Sequence, residues 1–214
     1  MHSLGQPLDL GAVTEVRGIK LFALSRKAAE PKVILGPKEN AMLSEMPWPL
    51  RRNEWLHGRL VAKELLSQAF GLSPLETEVL PAQSEAPEIW VQNRRHTALV
   101  INISHTKLYA VAAAASFPVG VDVCDDEDGK RLPRIARRVR SAGEAEECGA
   151  FQSEVSQASV WAIKEAVLKL RIGGVFSPGA QSVRVKSLSP PTVANSDTEV
   201  VLLRLKHGMV AVAF

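Results

Sequence analysis

Hydrophobic positions along the chain fall into two helical stripes and several period-two runs. From Val160 to Arg171, VWAIKEAVLKLR, the residues Val160, Ile163, Val167 and Leu170 recur at a 3,4,3 spacing with no helix breaker inside, which predicts a long amphipathic helix. A second stripe, Trp55, Leu56, Leu60, Val61, Leu65 and Leu66, predicts a helix over Arg51–Phe70 capped by Gly71. Alternation predicts a first strand over Thr14–Leu24, a hairpin of Leu99–Ser104 and Leu108–Ala115 turning at His105–Lys107, and a strand over Val119–Cys124 after the break at Pro118. Towards the end of the chain, Gln181–Leu188, Glu199–Leu205 and Met209–Phe214 read as three strands, with the proline- and serine-rich Ser189–Ser196 as a hairpin connection.

Between these lie weaker signals. Ala28–Pro49 carries four prolines and reads as a loop with a short helix at Asn40–Glu45. The stretch after Gly71 is polar and rich in proline and glutamate. Leu132 to about Ala142 reads as a basic helix with Ile135, Ala136 and Val139 inward, followed by a segment bearing Glu144, Glu146 and Glu147 and, past the long helix, a turn at Gly173–Gly174. The fold class is therefore α+β: two similar halves, residues 1–117 and 118–214, each an antiparallel sheet packed on a long helix, although no sequence repeat is visible.

Composition narrows the class of function. At 214 residues and 46% hydrophobic the chain can bury a substantial core, and it has neither an eighteen-residue apolar run nor a basic-then-apolar start, so the cytoplasm is the default expectation. Cys124 and Cys148 make no CxxC pair and no zinc-type set. The net charge is only +3, yet basic residues gather in Lys130–Arg140, which suits an acidic or phosphate-bearing partner. Few aromatics and no recognised nucleic-acid motif argue against a nucleic-acid binder.

Candidate chemistry concentrates on the two helices and one strand. Trp161, Glu165 and Lys169 are each four apart, stacking a ring, a carboxylate and an ammonium along one line of the helix; this is either a surface Glu/Lys pair or a site for a cation and an anionic substrate. Asp122, in the middle of the short apolar strand VGVDVC, is costly to bury without a partner, which a cation would supply; otherwise it lies half exposed at a strand end. On the earlier helix Arg59 and Lys63 sit one turn apart with Gly58 beside them, which lets a ligand approach closely; the alternative is a solvated helix face.

NISHT at Asn102–Thr106, GVDV at Gly120–Val123 and WAIKEAVLK at Trp161–Lys169, in that order, resemble the three signature motifs of the larger, surfactin-synthetase-activator-like 4′-phosphopantetheinyl transferases. GRLVAKELL at Gly58–Leu66 and RRVRSAGEAE at Arg137–Glu146 are similar to further segments of that family. The resemblance implies a pseudodimer that holds coenzyme A and Mg²⁺ in a cleft between its halves. The implied reaction transfers 4′-phosphopantetheine to a serine of an acyl, peptidyl or aryl carrier protein and releases adenosine 3′,5′-bisphosphate. It further implies Asp122 and Glu165 as metal ligands, Glu165 as acceptor of the serine proton, Lys169 on the pyrophosphate, and Ser104, His105 and Arg59 on the coenzyme's phosphates. Lys164 matches the motif too, with a structural salt bridge an equal alternative. A monomer is expected, because fused halves suffice.

Two departures from the family pattern stand out. Cys124 replaces the second acid that usually follows the strand aspartate by two residues, and a thiol is a soft ligand for magnesium; water, Asp125 or Asp126 are the substitutes, although strand alternation puts Asp125 on the other face from Asp122. Glu85-Ala86-Pro87-Glu88 stands where members typically carry Gly-Lys-Pro, with Arg94 and Arg95 nearby to compensate. These departures define the alternative reading, a divergent homologue that binds coenzyme A or a carrier without turnover.

Overall fold

The computed structural model describes residues 5–26, 30–82, 86–131, 140–141, 144, 153–172 and 179–214. The chain is of the α+β class and divides into two compact units, Asp9–Val119 and Met1–Leu8 with Gly120–Phe214. The division separates β1 (Gln6–Pro7) from the residues that follow it: this strand pairs in parallel with a strand near the other end of the chain, whereas the sequence reading placed all of 1–117 together.

In the unit Asp9–Val119, β2 (Thr14–Val16) and β3 (Ile19–Ser25) form a hairpin where one strand was expected. Arg17 and Gly18 both take positive φ there, 53° and 79°, the geometry of a two-residue turn whose twist matches the flanking strands. Two helices follow, α1 (Pro37–Ser44) and α2 (Pro49–Phe70), the second closed by Gly71 in the left-handed conformation. The polar stretch beyond holds β4 (Thr77–Leu80), β5 (Glu88–Val91) and β6 (Arg94–His96), a small sheet that alternation over so few residues did not announce. The strands β7 (Val100–His105) and β8 (Tyr109–Ala115) then complete the main sheet in the order β2-β3-β8-β7. Central β8, YAVAAAA, is buried throughout, and its small side chains let α2 lie close across the sheet, Val61, Ala62, Leu65 and Leu66 meeting Phe22, Ile101, Ala110, Ala112 and Ala114.

The second unit opens with β9 (Gly120–Asp125), the short α3 (Asp126–Gly129) and, after residues not described, α4 (Glu154–Ile172). The basic helix expected from Leu132, Glu146, Glu147, Cys148 and the Gly173–Gly174 turn lie outside the described residues. α4 starts six residues before the apolar stripe because Ser153 and Ser156 cap it reciprocally: Ser156 N donates to Ser153 Oγ at 3.1 Å and Ser153 N to Ser156 Oγ at 3.0 Å. A 3₁₀ turn, Ala180–Ser182, occupies the start of the expected Gln181–Leu188 strand, leaving β10 (Val185–Leu188). The expected Ser189–Ser196 connection itself contains β11 (Pro191–Val193), paired with β10. The last strands, β12 (Val200–Leu205) and β13 (Gly208–Ala213), give the sheet order β1-β12-β13-β9.

Each unit thus runs strand, long helix, small sheet, strand, strand. In each, the last strand lies between the strand that leads into the helices and the penultimate one: β3-β8-β7 in one and β9-β13-β12 in the other. The sequence shows no repeat; the topology does.

In the second unit β9 and α4 touch backbone to backbone. A Cβ at Gly120 would lie 2.0 Å from Ala166 O and 2.7 Å from Leu170 N, so no side chain fits at this crossing. Ala162 and Ala166, both fully buried, continue the smooth contact on the helix side. Gly120→Ala forces strand and helix apart and is expected to lower the unfolding free energy by about 3 kcal/mol, as overpacking against rigid backbone does, read as a shift of the urea midpoint at unchanged slope.

Candidate active site

Strand alternation sends Asp122, two residues after the Gly120 crossing, to the same helix-facing side, where α4 meets it with one line of side chains. Lys169 Nζ lies 2.7 Å from Asp122 Oδ1 and 3.0 Å from Val121 O. Asp122 is 6% exposed, so the ammonium supplies the partner that a carboxylate in a buried strand requires. Glu165, one turn before Lys169 and half-buried, feels both: burial, then the negative charge of Asp122, push its carboxyl above the ordinary glutamate value, while Lys169 pulls it down. Trp161, a further turn back, packs half-buried on the core of Val160, Ile163 and Val167. Two carboxylates and an ammonium from distant segments therefore converge.

Lys164, adjacent to Glu165, does not share this cluster. It is fully buried and pairs with fully buried Glu144, Nζ to Oε1 2.8 Å, so the structural salt bridge is the reading that stands. Its partner was not identified from the sequence, although Ser141-x-x-Glu144 is a capping-box spacing, and Ser141 N does donate to Glu144 Oε2 at 3.2 Å.

Cys124 occupies the next helix-facing position after Asp122. It is 4% exposed, lies in the apolar core with Ala158 and Met209, and its Sγ donates to Asp125 O at 3.6 Å. Burial, then the charges of Asp122, Asp128, Asp125 and Asp126, push the thiol upward, away from the thiolate that a metal ligand would have to be. Neither suggested acid replaces it. Asp126 is held by both ends of the Arg204 guanidinium at 2.6 Å each, and Asp125 is buried at the opposite phase of the strand from Asp122.

Whether this donor set fits a magnesium ion follows from its composition. Among the described residues no group of three His, Cys, Asp or Glu side chains is assembled to hold a metal. Mg²⁺ needs no such cage: it keeps several waters and is commonly bound by one or two carboxylates plus substrate phosphates. Asp122 and Glu165, with a free face towards solvent at half-exposed Glu165, fit that mode, and a soft ligand such as Cys124 has no part in it.

The other sequence-predicted residues lie in the Asp9–Val119 unit. Ser104 is buried and His105 exposed at the end of β7. The turn after them is fixed by Thr106, whose Oγ1 accepts from Leu108 N at 3.2 Å and Tyr109 N at 3.1 Å, and by Arg26, which donates to Thr106 O and to Asn53 Oδ1. His105 also lines a cavity of about 530 Å³ with Trp48, Leu50, Arg51, Glu54 and Trp55. Arg59 is 6% exposed, 4.5 Å above the Trp55 ring and 3.9 Å from Glu39 Oε1, and burial lowers its pKa to about 10 against the opposing pull of Glu39. Arg95 is taken up at 3.2 Å by Glu88, which also accepts from Trp90 Nε1; Glu85 lies outside the described residues.

Residues 118–208 match the model of the 4′-phosphopantetheinyl transferase superfamily. The chain is 32% identical over 115 residues to a holo-[acyl-carrier-protein] synthase of Geobacillus kaustophilus, covering 51% of this chain and 84% of that protein. It is 30% identical over 179 residues to the 4′-phosphopantetheinyl transferase AcpT of Salmonella typhimurium, covering 79% of this chain and 83% of that one. No helix among the described residues is long and apolar enough to cross a membrane.

The burial of Cys124 gives a direct expectation. In native protein the peptide bearing Cys124 resists iodoacetamide at pH 8, and it becomes fully alkylated in denaturant, as peptide mass mapping will register.

Proposed function

The chain belongs to the 4′-phosphopantetheinyl transferase superfamily, and we propose that it moves the phosphopantetheine arm of coenzyme A onto a serine of an acyl, peptidyl or aryl carrier protein in the cytoplasm. The observation that carries this reading is the convergence of Asp122, Glu165 and Lys169, with Lys169 Nζ 2.7 Å from Asp122 Oδ1 and the Asp122 charge acting on Glu165.

In the proposed reaction the serine Oγ attacks the phosphorus that carries the pantetheine. The new P–O bond forms as the bond to the bridging oxygen breaks, and adenosine 3′,5′-bisphosphate departs with that electron pair. Asp122 and Glu165 would hold Mg²⁺, which supplies neutralisation of charge on the diphosphate oxygens when bound. Glu165 takes the serine proton, directly or through a water, from its half-buried position one turn before Lys169. Lys169 lies against the diphosphate and stabilises the negative charge that builds on the leaving oxygen. Ser104, His105 and Arg59 are proposed contacts of the coenzyme's phosphates, His105 being open to solvent and Arg59 having an Nε without a hydrogen-bond partner among the described residues.

Cys124 supports a second reading, a homologue that binds coenzyme A without turnover. The burial of its thiol argues that the site instead relies on two carboxylates and water, a set magnesium accepts.

Incubation of the protein with apo carrier protein, coenzyme A and Mg²⁺ is expected to add about 340 Da to the carrier, the mass of the transferred arm. Unchanged mass across several carriers, together with coenzyme binding indifferent to Mg²⁺, would decide for the binding-only homologue. Glu165→Gln, which keeps the shape and removes the base, is expected to lower kcat by about 10²–10⁴-fold with little change in thermal midpoint.

A further inference from the structure

The repeated topology is accompanied by a repeated buried ion pair. In the Asp9–Val119 unit, fully buried Glu39 accepts from Gly36 N at 3.0 Å, from Val79 N of β4 at 2.9 Å and from Lys63 Nζ at 2.7 Å. Lys63, on α2, donates onward to Thr77 O at 2.6 Å and Pro74 O at 3.2 Å. In the other unit, fully buried Glu144 accepts from Ser141 N at 3.2 Å, from Val185 N of β10 at 2.7 Å and from Lys164 Nζ at 2.8 Å. Lys164, on α4, donates onward to Val183 O and to Ala180 O at 3.0 Å.

The correspondence holds residue for residue, although Glu39 also lies 3.9 Å from Arg59 Nε and Lys164 also donates to Ser141 Oγ at 3.1 Å. Each glutamate takes the amide three residues before it and the amide of the first small-sheet strand, and each lysine takes the carbonyls two and five residues before that amide. Each lysine is also followed by a glutamate, Glu64 or Glu165. There the units diverge. Glu64 is bonded to Gln68, one turn on, where the other unit has Glu165 and Lys169, and β3 turns Phe22 and Leu24 to its helix where β9 turns Asp122 and Cys124. One frame thus exists twice, once with Asp122 and the Glu165–Lys169 pair and once with Phe22 and the Glu64–Gln68 pair in their places.

We infer that the Lys164–Glu144 pair is a positioning device for the reaction proposed above, on which this inference rests: it sets the rotation and height of α4 so that Glu165 and Lys169 face Asp122. The apolar face of α4, with Val160, Ile163 and Val167, packs into the core, and Gly120 meets Ala166 at backbone contact; such contacts are non-directional and leave small rotations of the helix open. A buried ammonium held by a carboxylate and backbone carbonyls tolerates no such freedom, because any helix shift leaves charges and carbonyls unpaired in the interior. Glu165 is the next residue along, so its direction is fixed at one helical step, about 100°, from the pinned lysine.

The test uses the full chain and Mn²⁺ alone as the metal probe, free Mn²⁺ being read by electron paramagnetic resonance, alongside transfer kinetics. Lys164→Met strands Glu144 and risks unfolding, so Lys164→Met/Glu144→Gln is the deciding variant: the charge pair is gone while the glutamine oxygen still accepts from Val185 N or Ser141 N. Lys63→Met/Glu39→Gln is the matched change in the other unit; Glu39 also lies 3.9 Å from Arg59 Nε, so the readout compared between the two is Mn²⁺ binding. The Lys164/Glu144 double variant is expected to keep a single cooperative thermal transition, to bind Mn²⁺ about 10-fold more weakly, and to lose on the order of 100-fold in kcat with KM for coenzyme A within about 2-fold. The Lys63/Glu39 variant is expected to hold Mn²⁺ as the unaltered protein does. A folded Lys164/Glu144 double variant with native Mn²⁺ affinity overturns the inference, as does an equal loss of Mn²⁺ affinity in both double variants. Unaltered protein that neither binds Mn²⁺ nor modifies a carrier overturns the functional reading itself.

Discussion

A carboxylate in the middle of a buried strand is tolerable only with a countercharge at contact distance, and that requirement shapes the second unit. Asp122 meets it through Lys169 at 2.7 Å, which is within reach only because β9 and α4 approach until their backbones touch at Gly120. The glycine and the alanines opposite it are therefore as much part of the site as the charged groups: they set the distance over which the charges interact. Burial raises the affinity of Glu165 for a proton, and the same closeness lets Asp122 raise it further against the pull of Lys169.

The duplicated frame explains why that arrangement occurs in one half of the chain. Both units carry a long helix pinned by a lysine to a buried glutamate, and both lay that helix on a sheet of the same strand order. With helix-facing Phe22 and Leu24, the Asp9–Val119 unit spends the equivalent surface on apolar burial. The other unit replaces apolar contact with Asp122 and so gives up some hydrophobic stabilisation, as reactive sites commonly do.

The sequence made the chemistry easier to read than the frame beneath it. The 3,4,3 stripe located α4, and an acid in an apolar strand signalled Asp122, because helical phase and charge burial are local properties. The three-stranded sheet β4–β5–β6 escaped, since strands of three or four residues carry too little alternation and are held by pairing across the turn. The Arg17–Gly18 turn was hidden inside an otherwise continuous β pattern, with an arginine at one of its left-handed positions. The role of Lys164 stayed open for a different reason: its partner lies twenty residues earlier, and a buried pair looks identical, letter by letter, to a surface one. Cys124 reversed the direction of inference, since only its depth in the core removes it from the ligands.

The strand β1 has a kinetic consequence. Its partner β12 lies near the far end of the chain, so Gln6 waits for Leu203 while the whole of Asp9–Val119 intervenes. The intervening unit is one uninterrupted segment and needs nothing from outside itself to close its main sheet. Entropy of loop closure therefore favours an order of events on the ribosome or in refolding. The unit without the strand aspartate consolidates early, and the Asp122-bearing unit gains its edge strand only when Gln6–Pro7 has met Leu203–Arg204.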